Sequence, residues 1–243
     1  MQKYLTLIAM LIMVSCHNPE RKKAVPDHKG STKKSPLPEQ KKAIVKNPIT
    51  LEEYFADSLH IARKKLNKVE LFRYRQADSN YVVIKFYSKV KEKWQLRSEY
   101  HYEKDSLTWC DAELSDFNGD GLKDLTYRSN IAGRGGNAIR RLFIYDNDAN
   151  NLVSMKNAEQ YPNMEYNSKL KCIDAFMLYG GCTTAFLKIS ADSLREFASV
   201  TLYEGLTVKV YDKYGKERIL LRDTSNKDEL IRYKNFNPLE EYH

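Results

Sequence analysis

The amino-acid sequence predicts a mainly antiparallel β domain, and three observations carry that expectation. Segments VELFRYRQ (69–76), YVVIKFYSK (81–89) and EKWQLRSEYHYEK (92–104) alternate apolar or aromatic with charged residues, the period of strands with one wet face. Turn-like DSN (78–80) and KVK (89–91) separate them. The same rhythm returns after residue 137 and runs to the C-terminal region, for about ten to twelve strands in all. No internal repeat is legible, yet strand groups recur at a spacing compatible with propeller blades. A β-sandwich is the alternative arrangement.

The chain opens MQKYLTLIAMLIMVSC, with one Lys, an apolar run from Tyr4 to Val14, and small Ser15 before Cys16. That is the build of a secretory signal, too short for a bilayer span, which takes about 20 apolar residues. Met13-Val14-Ser15-Cys16 looks like a bacterial lipobox, with Met where Leu is usual. It implies cleavage after residue 15, acylation of Cys16, and a lipid-anchored protein of the cell envelope, at the outer membrane facing the periplasm. Residues 16–49 read as a disordered basic tether rich in Lys, Pro and Ser. Up to residue 50 there are ten basic and three acidic residues, which leaves 30 basic and 29 acidic in the rest. Seven of the eight net positive charges thus belong to the leader and tether, where they suit anionic lipid headgroups, and are no nucleic-acid signal.

The calcium-binding β-rich domain expected over 50–243 is long enough for its own core. Its first element reads as an N-terminal α-helix over 50–66. Thr50 and Glu53 match a capping box, and Leu51, Tyr54, Phe55, Leu59, Ala62 and Leu66 recur at helical spacing. Asp57 and Arg63-Lys64-Lys65 complement the helix dipole, Asn67 ends the helix, and His60 is a surface residue. The strand meander follows, its aromatic and basic residues interleaved as half-buried sheets require.

The chemistry concentrates in CDAELSDFNGDGLKDLTYRSN, residues 110–130. Asp116, Asn118, Asp120 and Asp124 occupy relative positions 1, 3, 5 and 9, and Gly121 position 6. Hard cations need six or more oxygen ligands, which carboxylates on alternate residues of a tight loop supply together. The Leu122 carbonyl adds a backbone ligand, so the expected ion is Ca2+. An EF-hand would require Glu at position 12 and flanking helices, whereas Tyr127 stands there and the flanks read as strands. With Asp at position 9, the loop resembles the integrin-type, FG-GAP calcium loop of β-propellers.

Beyond it, IAGRGGN (131–137) is a Gly-rich connection without the Lys-Ser/Thr of a phosphate loop. Its functional reading is a protruding loop presenting Arg134 to a partner. Asp146, Asp148 and Asn150 also alternate, but lack the Gly, and read as a hairpin turn. Strands follow at 169–178, 183–190, 195–205, 206–215 and 216–223, and DELIRYKNF makes a short helix or a last strand. In an oxidising compartment Cys172 and Cys182 are candidates to bridge one hairpin; Cys110 is then an unpaired thiol or pairs with one of them instead.

The single acidic loop, the Gly-rich segment ending in Asn137, the strand LFIYD and Tyr166-Asn167 together resemble a family of bacterial envelope proteins that includes lysozyme-inhibitor and immunity proteins. The resemblance covers residues 105 to 210. It implies a small, irregular β-propeller-like fold, a calcium ion that orders a loop, Arg134 and Asn137 at a partner surface, and a muramidase as partner. The expected function is therefore non-catalytic: an envelope-anchored calcium-binding module for a protein partner. A calcium-dependent adhesin or glycan binder is the alternative. The enzymatic rival would use Asp111 or Glu113 as acid with His101 as base, but no nucleophile or metalloprotease signature accompanies them.

Overall fold

A computed structural model describes residues 48–77, 79–104, 108–225 and 230–241, all within one compact unit, Val45–His243. The signal segment, Cys16 and the tether up to residue 47 lie outside the described residues. The architecture is a succession of antiparallel meanders. Strands β1 (Ile49–Asp57), β2 (Asn67–Gln76), β3 (Ser79–Val90) and β4 (Lys93–Lys104) form the first sheet in chain order. A second holds β5 (Glu113–Ser115), β6 (Asp124–Ala132), β7 (Asn137–Asp146) and β8 (Asn151–Ser154). The third runs β9 (Met164–Asn167), β10 (Cys172–Leu178), β11 (Cys182–Ser190), β12 (Ser193–Leu202), β13 (Leu206–Tyr211) and β14 (Glu217–Asp223). A hairpin of β15 (Tyr233–Phe236) and β16 (Leu239–Glu241) closes the chain.

The alternation seen in the sequence is what the sheets use. Val69 and Leu71 of β2 and Val82, Ile84 and Phe86 of β3 point inward and are fully buried. They pack with Leu125, Tyr127, Phe143 and Tyr145 of the second sheet. The Phe86 and Tyr145 rings lie 5.9 Å apart, and Tyr100 and Phe143 5.2 Å, pairs worth about 0.5–1.5 kcal/mol each beyond their burial. A second core joins Phe117, Leu142 and Ile144 to Ile173, Ala175 and Leu187 of the third sheet. A third gathers Phe186, Val200 and Val208 against Tyr233 of the terminal hairpin. The mainly antiparallel β class therefore holds. The sheets are open, and no closure into a propeller ring is seen among the described residues.

The helix expected over 50–66 is not formed. Residues 49–57 are β1, paired along β2 from Ile49 opposite Gln76 to Asp57 opposite Val69. A β-bulge between Leu51 and Glu53 adds one residue and breaks the two-residue period, so the apolar positions mimic helical spacing. As an edge strand β1 pairs on one side only, with β2, but in doing so it lays Phe55 against the core, and this tertiary packing outweighs helix propensities of only a few tenths of a kcal/mol per residue. Glu53 caps no helix; its carboxylate accepts the backbone N–H of Cys110 at 2.8 Å and Asp111 at 3.3 Å. Asp57 opens a turn by accepting the N–H groups of Leu59, His60 and Ile61 at 3.0, 2.7 and 2.8 Å. His60 is exposed, as expected. Of the C-terminal segment left open between helix and strand, Tyr233–Phe236 form a strand.

Candidate functional site

The acidic loop is positioned by three neighbours. Asp124 begins β6; one of its oxygens accepts the Phe117 N–H at 2.8 Å and the other the Tyr145 N–H of β7 at 2.8 Å. The backbone of Lys123 holds the turn at Ile61 and Ala62, whose N–H reaches the Lys123 oxygen at 2.9 Å. On the other side the Tyr166 ring of β9 lies against Gly119, where a Cβ would come within 2.2 Å of its hydroxyl; with φ at +76°, this position takes only glycine. Tyr127, at the place of an EF-hand's bidentate Glu, is buried in the core.

Inside the loop the polar groups bond mainly to its own backbone. Asp116 accepts the N–H of Gly119 at 2.6 Å and Gly121 at 2.8 Å. Asp120 accepts from Leu122 N–H at 2.7 Å and from the Asn118 amide at 2.8 Å. Asp124 is fully buried, and its two bonds come from neutral N–H groups. Burial pushes its carboxyl up to about 7, and Asp120 and Asp116 push the same way, against the two backbone bonds. The all-oxygen set Asp116, Asn118, Asp120, Asp124 and Leu122 carbonyl matches a hard cation in chemistry. Asp116 and Asp120 lie near enough to Asp124 to raise its carboxyl, yet among the described residues no three His, Cys, Asp or Glu side chains form a group placed to hold a metal. No coordination geometry follows from this arrangement. Beside the loop lies a shallow groove of about 250 Å³ lined by Phe117, Asn118, Lys171, Cys172 and Lys188.

The Gly-rich segment is the β6–β7 connection. Arg134 sits on a one-turn 3-10 segment, Gly133–Gly135, exposed and in the left-handed region at φ 55° and ψ 32°. Asn137, expected at the partner surface, is instead fully buried. Its amide donates to the Leu178 carbonyl at 2.9 Å and its oxygen accepts the Leu178 N–H at 2.9 Å. The physical reason is economy of backbone groups: Leu178 ends β10, and the side-chain amide completes the pairing that no strand supplies. This clamp fastens the Arg134 loop to the β10–β11 turn. Tyr179 follows, 61% exposed, and Tyr203 of the β12–β13 turn, 58% exposed, lies beside Gly180. Three hairpin tips thus stand side by side with Arg134, Tyr179 and Tyr203 outward. The sequence flagged only Arg134; the tyrosines carry no local signal and are found from topology alone.

A second exposed feature lies on the outer face of the first sheet. Tyr54, Phe72, Tyr74 and Tyr81 form a row with ring centroids 5.0, 6.1 and 5.3 Å apart, Tyr54 being half exposed. The candidate acid–base set is not assembled. Asp111 and Glu113 hold Arg140 at 3.2 and 2.6 Å, while His101 pairs with Glu99 at 2.8 Å. Asp146 accepts the N–H of Asp148 and Ala149, an ordinary turn.

Cys172 and Cys182 do not bridge one another: both are buried, as is Cys110, and the Cys182 thiol donates to the Ile231 carbonyl at 3.4 Å. Ile173 faces Leu187 and Leu178 faces Cys182, so the two cysteines lie at opposite ends of the β10–β11 hairpin, roughly 20 Å apart. A disulfide needs Cα atoms within about 7 Å. Burial pushes both the Cys110 and the Cys172 thiols up to about 12, which keeps them protonated.

No family model matches the chain, and no curated protein matches it. Among solved structures it is similar to a Xanthomonas type IV secretion system related protein, with 10% identity over 69% of this chain and 93% of that one, and a TM-score of 0.43. A likeness this loose transfers neither fold nor activity.

Proposed function

We propose that this chain is a non-catalytic binding module of the bacterial envelope, held at the membrane through Cys16, whose hairpin tips receive a protein partner. The observation that carries the reading is Arg134, exposed in a left-handed turn that the buried Asn137–Leu178 clamp holds in place. A guanidinium on a fixed tip, with exposed tyrosines on neighbouring hairpin tips, is the composition of a binding hot spot. A muramidase fits as partner because its cleft carries two carboxylates, which a guanidinium pairs with bidentately. Calcium in the acidic loop would be structural, and an extracytoplasmic site works at affinities as weak as about 0.1–1 mM. Consecutive four-stranded meanders suit the blades of an irregular propeller-like array.

The test is inhibition of a lysozyme-type muramidase on peptidoglycan by the full chain, in calcium. Arg134→Ala is expected to weaken inhibition about tenfold or more, the loss of one charge-assisted bidentate contact, with the melting temperature unchanged. No inhibition by the wild type removes the muramidase; equal inhibition by the variant removes Arg134. The row Tyr54–Phe72–Tyr74–Tyr81 favours a second reading, a glycan-binding surface, since sugar rings stack on aromatic faces. Calcium-independent retention on peptidoglycan, lost on Tyr74→Ala, would select it.

A further inference from the structure

Strand β14 is bonded to β13 on one side, and among the described residues no strand covers its other edge. Its Ile219, Leu220 and Leu221 are 43, 37 and 44% exposed. Exposed apolar edges template further pairing unless something blunts them. The full segment is Lys216-Glu217-Arg218-Ile219-Leu220-Leu221-Arg222-Asp223. Rotated half a turn about the point between Ile219 and Leu220, it sets Lys216 against Asp223, Glu217 against Arg222, and Arg218 against Leu221.

Antiparallel partners related by a two-fold axis must present opposite residues on the same face of the sheet. In a regular strand Glu217 and Arg222, an odd number of positions apart, would point to opposite faces. The β14 strand is not regular: Val208 faces Leu221 and Lys209 faces Ile219, so Leu220 is a bulge residue. The bulge reverses the parity. Glu217, Ile219 and Arg222 lie opposite Tyr211, Lys209 and Thr207, the outward side of β13, whereas Arg218, Leu221 and Asp223 lie opposite Val210, Val208 and Leu206. The Lys209 ammonium bears this out. It bonds Glu217 at 2.9 Å, is held above its ordinary value chiefly by that bond, and is pushed back by Arg222.

We propose that β14 pairs antiparallel with β14 of a second copy of this chain, about a two-fold axis between Ile219 and Leu220. Each side of the axis then carries one Glu217–Arg222 ion pair, one Lys216–Asp223 pair, and the stem of Arg218 over Leu221. The charges that would repel an unrelated strand select this strand in this register. An edge this short falls below the area of a permanent interface, so the association is weak and concentration-dependent.

The experiment is sedimentation velocity on the full chain in detergent, from micromolar to several hundred micromolar. The wild type is expected to dimerise. Glu217→Arg and Arg222→Glu each juxtapose like charges twice across the axis, and each is expected to weaken dimerisation at least about tenfold. Mixing the two variants places opposite charges at both positions, so the mixture should associate about as well as the wild type, and so should the double variant. Both residues are exposed, and unchanged melting temperatures confirm folding. A wild type monomeric at every concentration overturns the proposal and leaves the edge to a strand of another protein. Single variants that dimerise as well as the wild type, or a mixture that stays monomeric, overturn it as well.

Discussion

Two aspartates of this molecule are equally and completely buried, and the chain treats them differently. Asp174 of β10 faces a cation of its own chain: Arg232 places its Nε 2.9 Å from one carboxylate oxygen, and its Nη2 also bonds there. The Asn167 amide donates to the other oxygen at 2.8 Å. Arg232 also reaches Glu165 at 2.7 Å, so this cluster fastens the C-terminal segment to the third sheet. Asp124 has backbone N–H groups, two nearby carboxylates in Asp116 and Asp120, and no such cation among the described residues. A buried carboxylate without a positive partner is costly, and the chain keeps one beside two more acids.

Breaking the self-supplied pair should have the largest effect. Arg232→Ala removes the cation that faces the buried Asp174, so stability measured by urea unfolding is expected to fall by about 3–5 kcal/mol, with or without calcium. A loss below about 1 kcal/mol would mean that the cluster is solvated and the contrast with Asp124 is false. Next comes the loop. If calcium fills the missing charge, calcium at about 100 times its dissociation constant should raise wild-type stability by about 2.7 kcal/mol, and chelator should reverse this. Asp120→Ala should abolish the calcium increment; an increment that survives the substitution places the ion elsewhere.

The smallest effect concerns a carboxylate of intermediate character. Glu196 of β12 is held above its ordinary value chiefly by burial, against hydrogen bonds from Ser199 and Tyr211. A raised folded-state value means that the native state keeps its proton longer than the unfolded chain. Stability is therefore unaffected below about pH 4.5, the unfolded value, and is lost as pH rises above it. Glu196→Gln should gain less than about 1 kcal/mol at pH 7 and nothing at pH 4. A gain of equal size at both pH values would show that charge is not its cause.

Strands β2, β3 and β4 were legible because their inward and outward faces differ, and alternation is visible wherever one face is wet. β1 was not, since its bulge shifts the phase halfway along, and a shifted period of two looks like a period near three. The acidic loop was legible as a set of oxygen donors at fixed spacing. Where those donors point was not, because Asp124 is aimed by Phe117 and Tyr145. Asn137 shows the same limit from the other side: an Asn after a Gly-rich loop invites a surface role, but Leu178, 41 residues on, takes both ends of its amide. Cys172 and Cys182 were close in sequence, and the hairpin register set them far apart.

The sequence by itself determined the β class, most strand positions, most turns and the spacing of the oxygen donors over residues 116–124. These follow from local chemistry: side-chain alternation, glycine at positive φ and carboxylates on alternate residues. Tertiary structure alone decided which aspartate receives an arginine, which tyrosines join Arg134, and that the bulge in β14 brings Glu217 and Arg222 onto one face. Each of these depends on residues meeting across sheets or on a register set by a partner strand, and no local pattern encodes either.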